Sequence, residues 1–338
     1  MKSKKLLEKL FNKKNLSFSE SCKLFESLLL GKYSNVEMAA ILTSLKIKGE
    51  SIDEIAGAIM TLDKFKVKIK KKKSPALDTC GTGGDRKNCM NVSTAVAILL
   101  SAMDIPVVKH GNSAQSGKIG SADILREFGI PYKMQGDDAE KFFDENNFVF
   151  LFAPLYHPAM KYVMPIRKTL QTSTIFNYIG PFVNPANPDF QFTGINTRKS
   201  MEKIANALVK AKKFNILLYS SFDGYDEFST FAPTECIEIR ENFIKKFIVN
   251  PEDFFKPFLM PQVTSIHESK TMFLEAVKGE NENLSKLLAL NAALGIKYIK
   301  KTKTLKKAYK EALDAITSGS VYDKFQTLQN HGGENDYN

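Results

Sequence analysis

A glycine-rich segment, Asp78-Thr79-Cys80-Gly81-Thr82-Gly83-Gly84-Asp85, is the first chemical signal in this sequence. It follows a short strand candidate and precedes Asn91-Val92-Ser93-Thr94, which opens a predicted helix. Glycines let the backbone approach phosphate oxygens closely, and a helix start adds unpaired N–H groups and a positive dipole end. A tight turn followed by a helix cap is the structural alternative. The loop and the polar helix start together favour phosphate binding, although neither a GxxxxGK[ST] nor a GxGxxG pattern is present.

A second polar cluster, Lys109-His110-Gly111-Asn112, leaves the predicted strand 105–111. Polar groups at the carboxyl end of a strand are where open α/β sheets bind ligands. We expect Lys109 to neutralise phosphate, and the small, polar residues of 113–121 suit a loop that closes over a charged ligand. The alternative is a surface loop that leads into a helix capped by Ser121.

Two kinds of element must position these groups. Residues 1–65 are predicted to be helical, since Ser17, Ser34 and Ser51 each stand three residues before a glutamate as in a capping box, and Gly31 and Gly49 end the first two helices. After Pro75, strands alternate with helices, which predicts α/β layers around a largely parallel sheet. The predicted strands are 105–111, 147–153 and 214–220, and the predicted helices are 91–103, 121–129, 197–213, 281–296 and 303–317.

Composition limits the class of protein. The 338 residues correspond to roughly two domains, and no apolar run approaches the ~18 residues of a membrane span. Four cysteines without a CxxC pair favour a reduced, cytoplasmic setting, and we expect no structural metal. Much of the net charge of +11 comes from seven lysines between 64 and 73. This run is interpreted as a solvated linker or edge, with a polyanion-binding arm as the alternative.

The motifs together resemble the anthranilate phosphoribosyltransferase family over nearly the whole chain. They are GTGGD, NVSTA, KHGN, GSADILREFG, APLYHPAM (153–160), TIFN (174–177) and GPFVNP (180–185). The resemblance implies a small all-helical domain of residues 1–66 with about 165–185, and a larger α/β domain of 74–164 and 186–328 with a central, mostly parallel sheet flanked by helices. Residues 67–73 would be the lysine-rich linker and 329–338 a polar tail. Homodimers through the helical domain are usual in the family.

The resemblance also implies a reaction. The amine of anthranilate attacks the ribose of 5-phosphoribosyl 1-pyrophosphate (PRPP) with Mg²⁺ present, and pyrophosphate leaves. This is the second step of tryptophan biosynthesis from chorismate. Lys109 and Arg167 are the implied catalytic residues; Gly81, Asn112 and Arg167 would hold anthranilate; and Ser93, Asp226 and Glu227 would hold the metal. The implied PRPP-binding residues are Gly81, Gly84, Asp85, Cys89, Asn91, Val92, Ser93, Thr94, Lys109, His110, Gly111, Asn112, Ser113, Gly117 and Ser121.

These residue types suit the chemistry. A guanidinium such as Arg167 matches the two oxygens of a benzoate carboxylate, and Mg²⁺ takes one or two carboxylates plus substrate phosphates. The sequence departs from the family pattern at Arg86, Cys89, Met90 and Ser173, and the acidic pair follows Ser221-Phe222-Asp223-Gly224-Tyr225. These departures affect the fine geometry of ligand binding and not the reaction class.

Three alternatives remain open from the sequence. His110 and His157 are interpreted as residues that order a loop through hydrogen bonds, although either could be a base. The lysine run also allows a nucleic-acid-binding member of the same fold, which we regard as less favoured. A pyrimidine nucleoside phosphorylase would share the fold, but KHGN with GTGGD favours PRPP.

Overall fold

The computed structural model describes residues 2–83, 87, 89–114 and 119–331. Its helices are α1 (Lys2–Phe11), α2 (Phe18–Leu29), α3 (Asn35–Lys48), α4 (Ile52–Lys64), α5 (Val92–Ala102), α6 (Ser121–Glu127), α7 (Gly136–Asn146), α8 (Ala153–Tyr156), α9 (Met164–Leu170), α10 (Phe176–Ile179), α11 (Met201–Lys210), α12 (Ile266–Lys278), α13 (Glu282–Ile299), α14 (Leu305–Thr317) and α15 (Ser320–Asn330). Short 3-10 helices occupy Pro158–Tyr162, Gly180–Val183, Arg198–Ser200 and Pro251–Asp253. The strands are β1 (Leu77–Gly81), β2 (Val107–Gly111), β3 (Phe148–Phe152), β4 (Phe190–Gly194), β5 (Ile216–Ser221), β6 (Thr234–Ile239) and β7 (Ile244–Val249).

The N-terminal helices begin where the sequence predicts. Ser17, Ser34 and Ser51 each form a complete capping box at the start of α2, α3 and α4. Gly31 and Gly49 both have positive φ at helix ends, but they follow α2 and α3, because an additional helix, α1, precedes them. Leu10 is the residue that anchors α1, since its side chain is almost fully buried in the helical core.

A buried ion pair ties these helices together. Glu54, which is fully buried in α4, accepts a hydrogen bond from the Leu16 amide at 2.9 Å. The Lys48 ammonium lies 2.7 Å from its other oxygen, and the Lys48 side chain is only 4% exposed. Glu54 also accepts from the Ser51 amide, so one carboxylate satisfies groups from three segments.

The described strands form one seven-stranded sheet in the order β3-β2-β1-β4-β5-β6-β7. The strands from β3 to β5 are parallel to their neighbours, and β6 and β7 continue the sheet antiparallel. The prediction of a mostly parallel α/β sheet is therefore confirmed. The sequence did not reveal β4, β6 and β7, because polar residues interrupt the apolar runs that mark a buried strand.

Two apolar cores lie on opposite faces of the sheet. In β5, Leu217 and Tyr219 join one core, and Ile216 and Leu218 join the other, because successive side chains of a strand point to opposite faces. The first core includes α5, α12, α13, α14 and α15. The second contains α1–α4 together with Val163 and Ile175, so residues near 165–185 share the N-terminal helical core. This shared core supports the predicted two-domain division, whose boundaries remain a prediction.

The C-terminal part of the chain has more helices than the two predicted. The predicted helices correspond to α13 and α14, with α12 before them and α15 after them. Helix α15 continues through Asn330 into the segment predicted to be a polar tail, and Gln329 donates to the Phe128 carbonyl at 2.9 Å. No helix in the described ranges is both long and apolar enough to cross a membrane.

The lysine run is not simply solvated, although the sequence predicts a solvated linker. The Lys66 ammonium is buried and donates to Asp63, to the Asn184 carbonyl and to Asn187 at 2.6–2.8 Å. Lys71 and Lys72 pair with acids that are distant in the sequence, at 2.5 and 2.9 Å. The sequence contains no acid within the run. Asp63 directly precedes it, whereas the acids that pair with Lys71 and Lys72 are brought to it by the tertiary fold.

Candidate active site

The glycine loop and the KHGN segment lie side by side. Strand β1 ends at Gly81 and pairs in parallel with β2, which ends at Gly111. Gly111 is in turn the register partner of Phe152 at the end of β3. Both polar segments therefore leave the same carboxyl edge of the sheet, as the sequence predicts.

The described part of the glycine loop is held from β4 and from an acidic loop. The Thr82 amide donates to the Gly194 carbonyl at 2.9 Å, and Asn196 donates from its side chain to the Gly83 carbonyl at 2.7 Å. The Gly83 amide donates to Asp226 Oδ2 at 3.0 Å. Asn196 was not predicted from the sequence, because it lies in no recognisable motif. The predicted site residues Gly84 and Asp85 lie outside the described residues.

Asp226 lies against a part of the sheet where two neighbouring strands have glycines and therefore no side chains. Gly81 and Gly194 are register partners on β1 and β4. A Cβ on Gly194 would lie 1.7 Å from the Asp226 carbonyl oxygen, and a Cβ on Gly81 would lie 2.8 Å from Asp226 Oδ2. A side chain on Gly194 would displace the backbone of the acidic loop, and a side chain on Gly81 would displace the Asp226 carboxylate. The structure thus brings a predicted metal-binding residue to the glycine loop.

The start of α5 presents Ser93 to the site, whereas Lys109 lies behind it. The Lys109 ammonium is 1% exposed; it donates to Ser93 Oγ at 3.1 Å and to the Thr79 carbonyl. Burial lowers its pKa, and the nearby Asp78 carboxylate opposes that shift. In this structure, Lys109 therefore organises Ser93 and the strand end from beneath, rather than presenting its charge at the open edge.

Other residues near the start of α5 differ in accessibility. Val92 and Thr94 are buried, and Thr94 Oγ1 has no hydrogen-bond partner within the described ranges. Asn91 precedes the helix, but its side chain donates to the Ile119 carbonyl at 3.0 Å and does not cap α5. Cys89 is partly buried. Val92 could therefore contact a ligand only through its backbone.

The donor set fits a hard divalent cation. Ser93 and Glu227 line one small cavity of about 10 Å³, together with Thr79 and Asn291. Asp226, next to Glu227, reaches the glycine loop as described above. A hydroxyl and two carboxylates are oxygen ligands, which suit Mg²⁺ when it keeps water and substrate phosphate in its remaining positions.

The two motif histidines contact each other. His110 Nε2 and His157 Nε2 are 3.2 Å apart, and both side chains are buried. Burial lowers the pKa of His157 to about 4 and holds the pKa of His110 well below its ordinary value. The His110 side chain points to the sheet face opposite Lys109, because strand side chains alternate. This arrangement supports the interpretation of both histidines as residues that order the loops.

The segment after β2 bends back onto the start of α6. Asp123 accepts hydrogen bonds from the Ala114 and Gly120 amides at 2.8 and 2.9 Å. Gly120 occupies the cap position and Ser121 is the first helical residue, so the interpretation of Ser121 as the cap is wrong. Glycine is needed at position 120, because the Asn112 carbonyl and the Ala114 amide leave no room for a side chain.

The Asn112 side chain turns the backbone of the loop that follows β2. Asn112 Oδ1 accepts from the Ser113 amide at 2.8 Å, and Asn112 is exposed. A Cβ on Gly111 would lie 2.8 Å from the Phe150 ring. The predicted PRPP-binding residue Gly117 lies outside the described residues.

Arg167 lies in α9, which the chain reaches from the end of β3 through α8 and the 3-10 helix at Pro158–Tyr162. Its guanidinium lies 3.3 Å from Asn177 Oδ1 and 5.8 Å from the centre of the Phe176 ring. Burial lowers its pKa from the ordinary value. No carboxylate among the described residues pairs with it, so the guanidinium can accept an anionic ligand.

The domain organisation matches a known class of protein. The family model for the helical bundle domain of a glycosyl transferase family covers residues 4–65, and the model for the a/b domain of that family covers residues 73–322. The fold and site therefore define a transferase of glycosyl groups.

Similar proteins narrow this class. The anthranilate phosphoribosyltransferase of Pelagibacter ubique is 40% identical over 96% of this chain and 98% of its own length. The enzyme of Sulfurisphaera tokodaii is 39% identical over 94% and 93%. The crystal structure of the Thermus thermophilus enzyme superposes with a TM-score of 0.87 at 28% identity, covering 98% of this chain and all of that one. The chain belongs to the anthranilate phosphoribosyltransferase family, as the sequence motifs predicted.

Proposed function

We propose that this protein transfers the 5-phosphoribosyl group of PRPP to the amine of anthranilate in a Mg²⁺-dependent reaction. The products are N-(5-phosphoribosyl)anthranilate and pyrophosphate, and the reaction is the second step of tryptophan biosynthesis from chorismate. The observation that carries the proposal is the meeting of the glycine loop, Ser93 and Asp226 at one edge of the sheet. Solved structures of the Saccharomyces cerevisiae enzyme, which share the fold, are described as complexes with PRPP and Mg and with 4-fluoroanthranilate.

The chemistry breaks one bond and forms another. The ribose C1–oxygen bond to pyrophosphate breaks, the C1–nitrogen bond to anthranilate forms, and the amine loses a proton. The transition state carries positive charge on the ribose and increasing negative charge on the leaving group. The positive dipole end at the start of α5 stabilises that negative charge. Mg²⁺, when bound, neutralises pyrophosphate oxygens, and Ser93, Asp226 and Glu227 are the residues that would hold it.

The residues at the site have distinct tasks in this proposal. The glycine loop and the start of α5 bind the phosphates of PRPP, together with the 111–121 loop. Lys109 supports Ser93 from beneath. Arg167 pairs with the anthranilate carboxylate and orients the ring so that the amine faces C1, with Gly81 and Asn112 beside it. An aromatic amine needs no strong base, which agrees with the neutral His110–His157 pair.

One assay tests the proposal directly. Anthranilate fluorescence is followed in the presence of PRPP and Mg²⁺, and pyrophosphate is measured in parallel. We expect fluorescence loss and pyrophosphate release only when all three components are present, with both abolished by EDTA and restored by excess Mg²⁺. Pyrophosphate release that did not require anthranilate would contradict the proposal.

We also propose a cytoplasmic homodimer that assembles through the N-terminal helices. Phe11, Val36 and Ile47 are large apolar residues of these helices that are 60–80% exposed in the single chain. These are the exposed apolar side chains that the proposed interface would cover. Sedimentation equilibrium should give twice the chain mass, and Ile47→Glu should return the protein to a monomer. A wild-type monomer at micromolar concentration would contradict this assembly.

A further inference from the structure

The side chain of Asn291, in the middle of α13, clamps the backbone of the acidic loop. Its Oδ1 accepts a hydrogen bond from the Phe228 amide at 2.8 Å, and its Nδ2 donates to the Phe228 carbonyl at 3.1 Å. Nδ2 also donates to the Leu287 carbonyl at 2.9 Å. Both donors and the acceptor are thus used, and two of the three bonds go to the residue that directly follows Glu227.

Asn291 also lies beside the candidate metal ligands. It lines the same small cavity as Ser93 and Glu227. The Phe228 ring stacks on Tyr219 with centroids 4.6 Å apart, which fixes the side chain of the clamped residue against β5. On its other side, Asp226 lies against the sheet, where Gly81 and Gly194 have no side chains. The acidic pair is therefore held from the sheet at one end and from α13 at the other.

We infer that Asn291 is a positioning residue for Asp226 and Glu227, and that it sets the affinity of this pair for the divalent cation. The inference rests on the proposed function, because that function assigns the cation to these residues. Asn291 does not need to touch the metal or either substrate. Outer residues that orient metal ligands typically change metal affinity or activity by about 10- to 100-fold when replaced.

The decisive variant is Asn291→Asp, which keeps the size and the acceptor but removes both donors. Asn146→Asp is the matched control, since Asn146, which is buried, also lies in a helix and also donates to the carbonyl four residues earlier, at Phe142. The control lies in α7 and does not bond to the acidic loop. Both variants should lose stability, so stability alone does not separate the two explanations.

The readout is binding of Mn²⁺, used as the spectroscopic probe, measured by electron paramagnetic resonance with PRPP present and anthranilate absent. We expect the Kd for Mn²⁺ to rise about 10-fold or more in Asn291→Asp and to stay within a factor of about two in Asn146→Asp. The anthranilate KM should change little in either variant. Asn291→Gln keeps the donors and the acceptor but places them one methylene further out, so it should give an intermediate rise in the Kd for Mn²⁺. This variant replaces Asn291→Asp in the test if Asn291→Asp does not fold.

Unchanged Mn²⁺ affinity in the Asn291 variants, with the same loss of stability as the control, would show a structural role only and overturn the inference. Absence of Mn²⁺ binding by the wild-type protein would overturn it as well. If the Mn²⁺ affinity depends on Asn291 but the wild-type protein forms no product from PRPP and anthranilate, the proposed function would be refuted and the positioning role would stand.

Discussion

Gly81 and Gly194 are register partners on neighbouring parallel strands, and together they leave the sheet surface bare where Asp226 lies. The two contacts differ in kind. At Gly194 the obstacle to a side chain is the backbone of Asp226, whereas at Gly81 it is the end of the Asp226 carboxylate. A flexible side-chain end can move aside more easily than a backbone, so the two positions should differ in their tolerance of alanine.

Gly194→Ala should displace the acidic loop. Overpacking of this kind costs about 1–3 kcal/mol of unfolding free energy, and the shifted carboxylates should raise the Mg²⁺ concentration needed for half-maximal activity by about 10-fold or more. Gly81→Ala should raise this Mg²⁺ concentration less. Mg²⁺ titrations of activity and urea denaturation of both variants check this, and an equal effect of the two substitutions would contradict the assigned contacts.

Arg167→Ala should weaken anthranilate binding selectively. Loss of a charge-assisted hydrogen bond costs about 1.5–3 kcal/mol, which corresponds to a rise of about 10- to 100-fold in the anthranilate KM. The PRPP KM should change far less. Lys168→Ala, at the exposed neighbouring position, is the control and should behave like wild type. If the anthranilate KM of Arg167→Ala were unchanged, Arg167 would not belong to the site.

The buried histidine pair should make the fold sensitive to acid. Burial keeps the pKa of His157 at about 4 in the folded chain, below its ordinary value of 6.5. Between these values the unfolded chain binds the proton and the folded chain does not, so stability falls as pH falls from 6.5 towards 4. Asp78 acts in the opposite direction, because burial raises its pKa to about 6 and protonation then favours the folded chain.

A comparison of variants separates these two contributions. On going from about pH 7.5 to about pH 5, wild-type protein should lose about 2 kcal/mol more unfolding free energy than His157→Gln. Urea denaturation at the two pH values measures this difference. Parallel pH profiles for the two proteins would show that the pKa of His157 is the same in the folded and the unfolded chain, and would contradict its lowering by burial.

Lys48→Met should destabilise the helical core strongly. It leaves the fully buried Glu54 without its cation, and breaking a buried ion pair from one side costs about 3–5 kcal/mol. Lys46→Met is a suitable comparison because Lys46 is exposed and bonds to the hydroxyls of Thr172 and Ser173. Chemical denaturation should give Lys46→Met a free energy of unfolding within about 1 kcal/mol of the wild-type value. An equally small loss for Lys48→Met would mean that another group compensates the charge of Glu54.

Local features of the fold could be predicted from the sequence. Each capping box joins residues only three positions apart, so Ser17, Ser34 and Ser51 mark helix starts whatever surrounds them. Strongly apolar runs such as β3 and β5 were also predicted, because burial on both faces demands a continuous apolar sequence. Strands β6 and β7 have no such run, since β7 is partly exposed, and their pairing became evident only in the sheet.

The residue types of the site were likewise evident in the sequence. The glycine loop, the polar start of α5, Arg167 and the acidic pair carry their chemistry in their side chains and immediate neighbours, and they established the family. The position of the Lys109 ammonium beneath Ser93 was not evident, because it depends on which face of β2 meets α5.

Gly194, Asn196 and Asn291 show most clearly what only the tertiary structure decided. None of them lies in a motif, and each acts on a segment far away in the chain: Gly194 by leaving room, Asn196 and Asn291 by bonding to backbone groups. Backbone amides and carbonyls are the same at every residue, so the sequence of a loop does not indicate which distant side chain will bind it. The chain itself therefore determined which chemical groups are available, and packing of the sheet against its helices determined which of them meet.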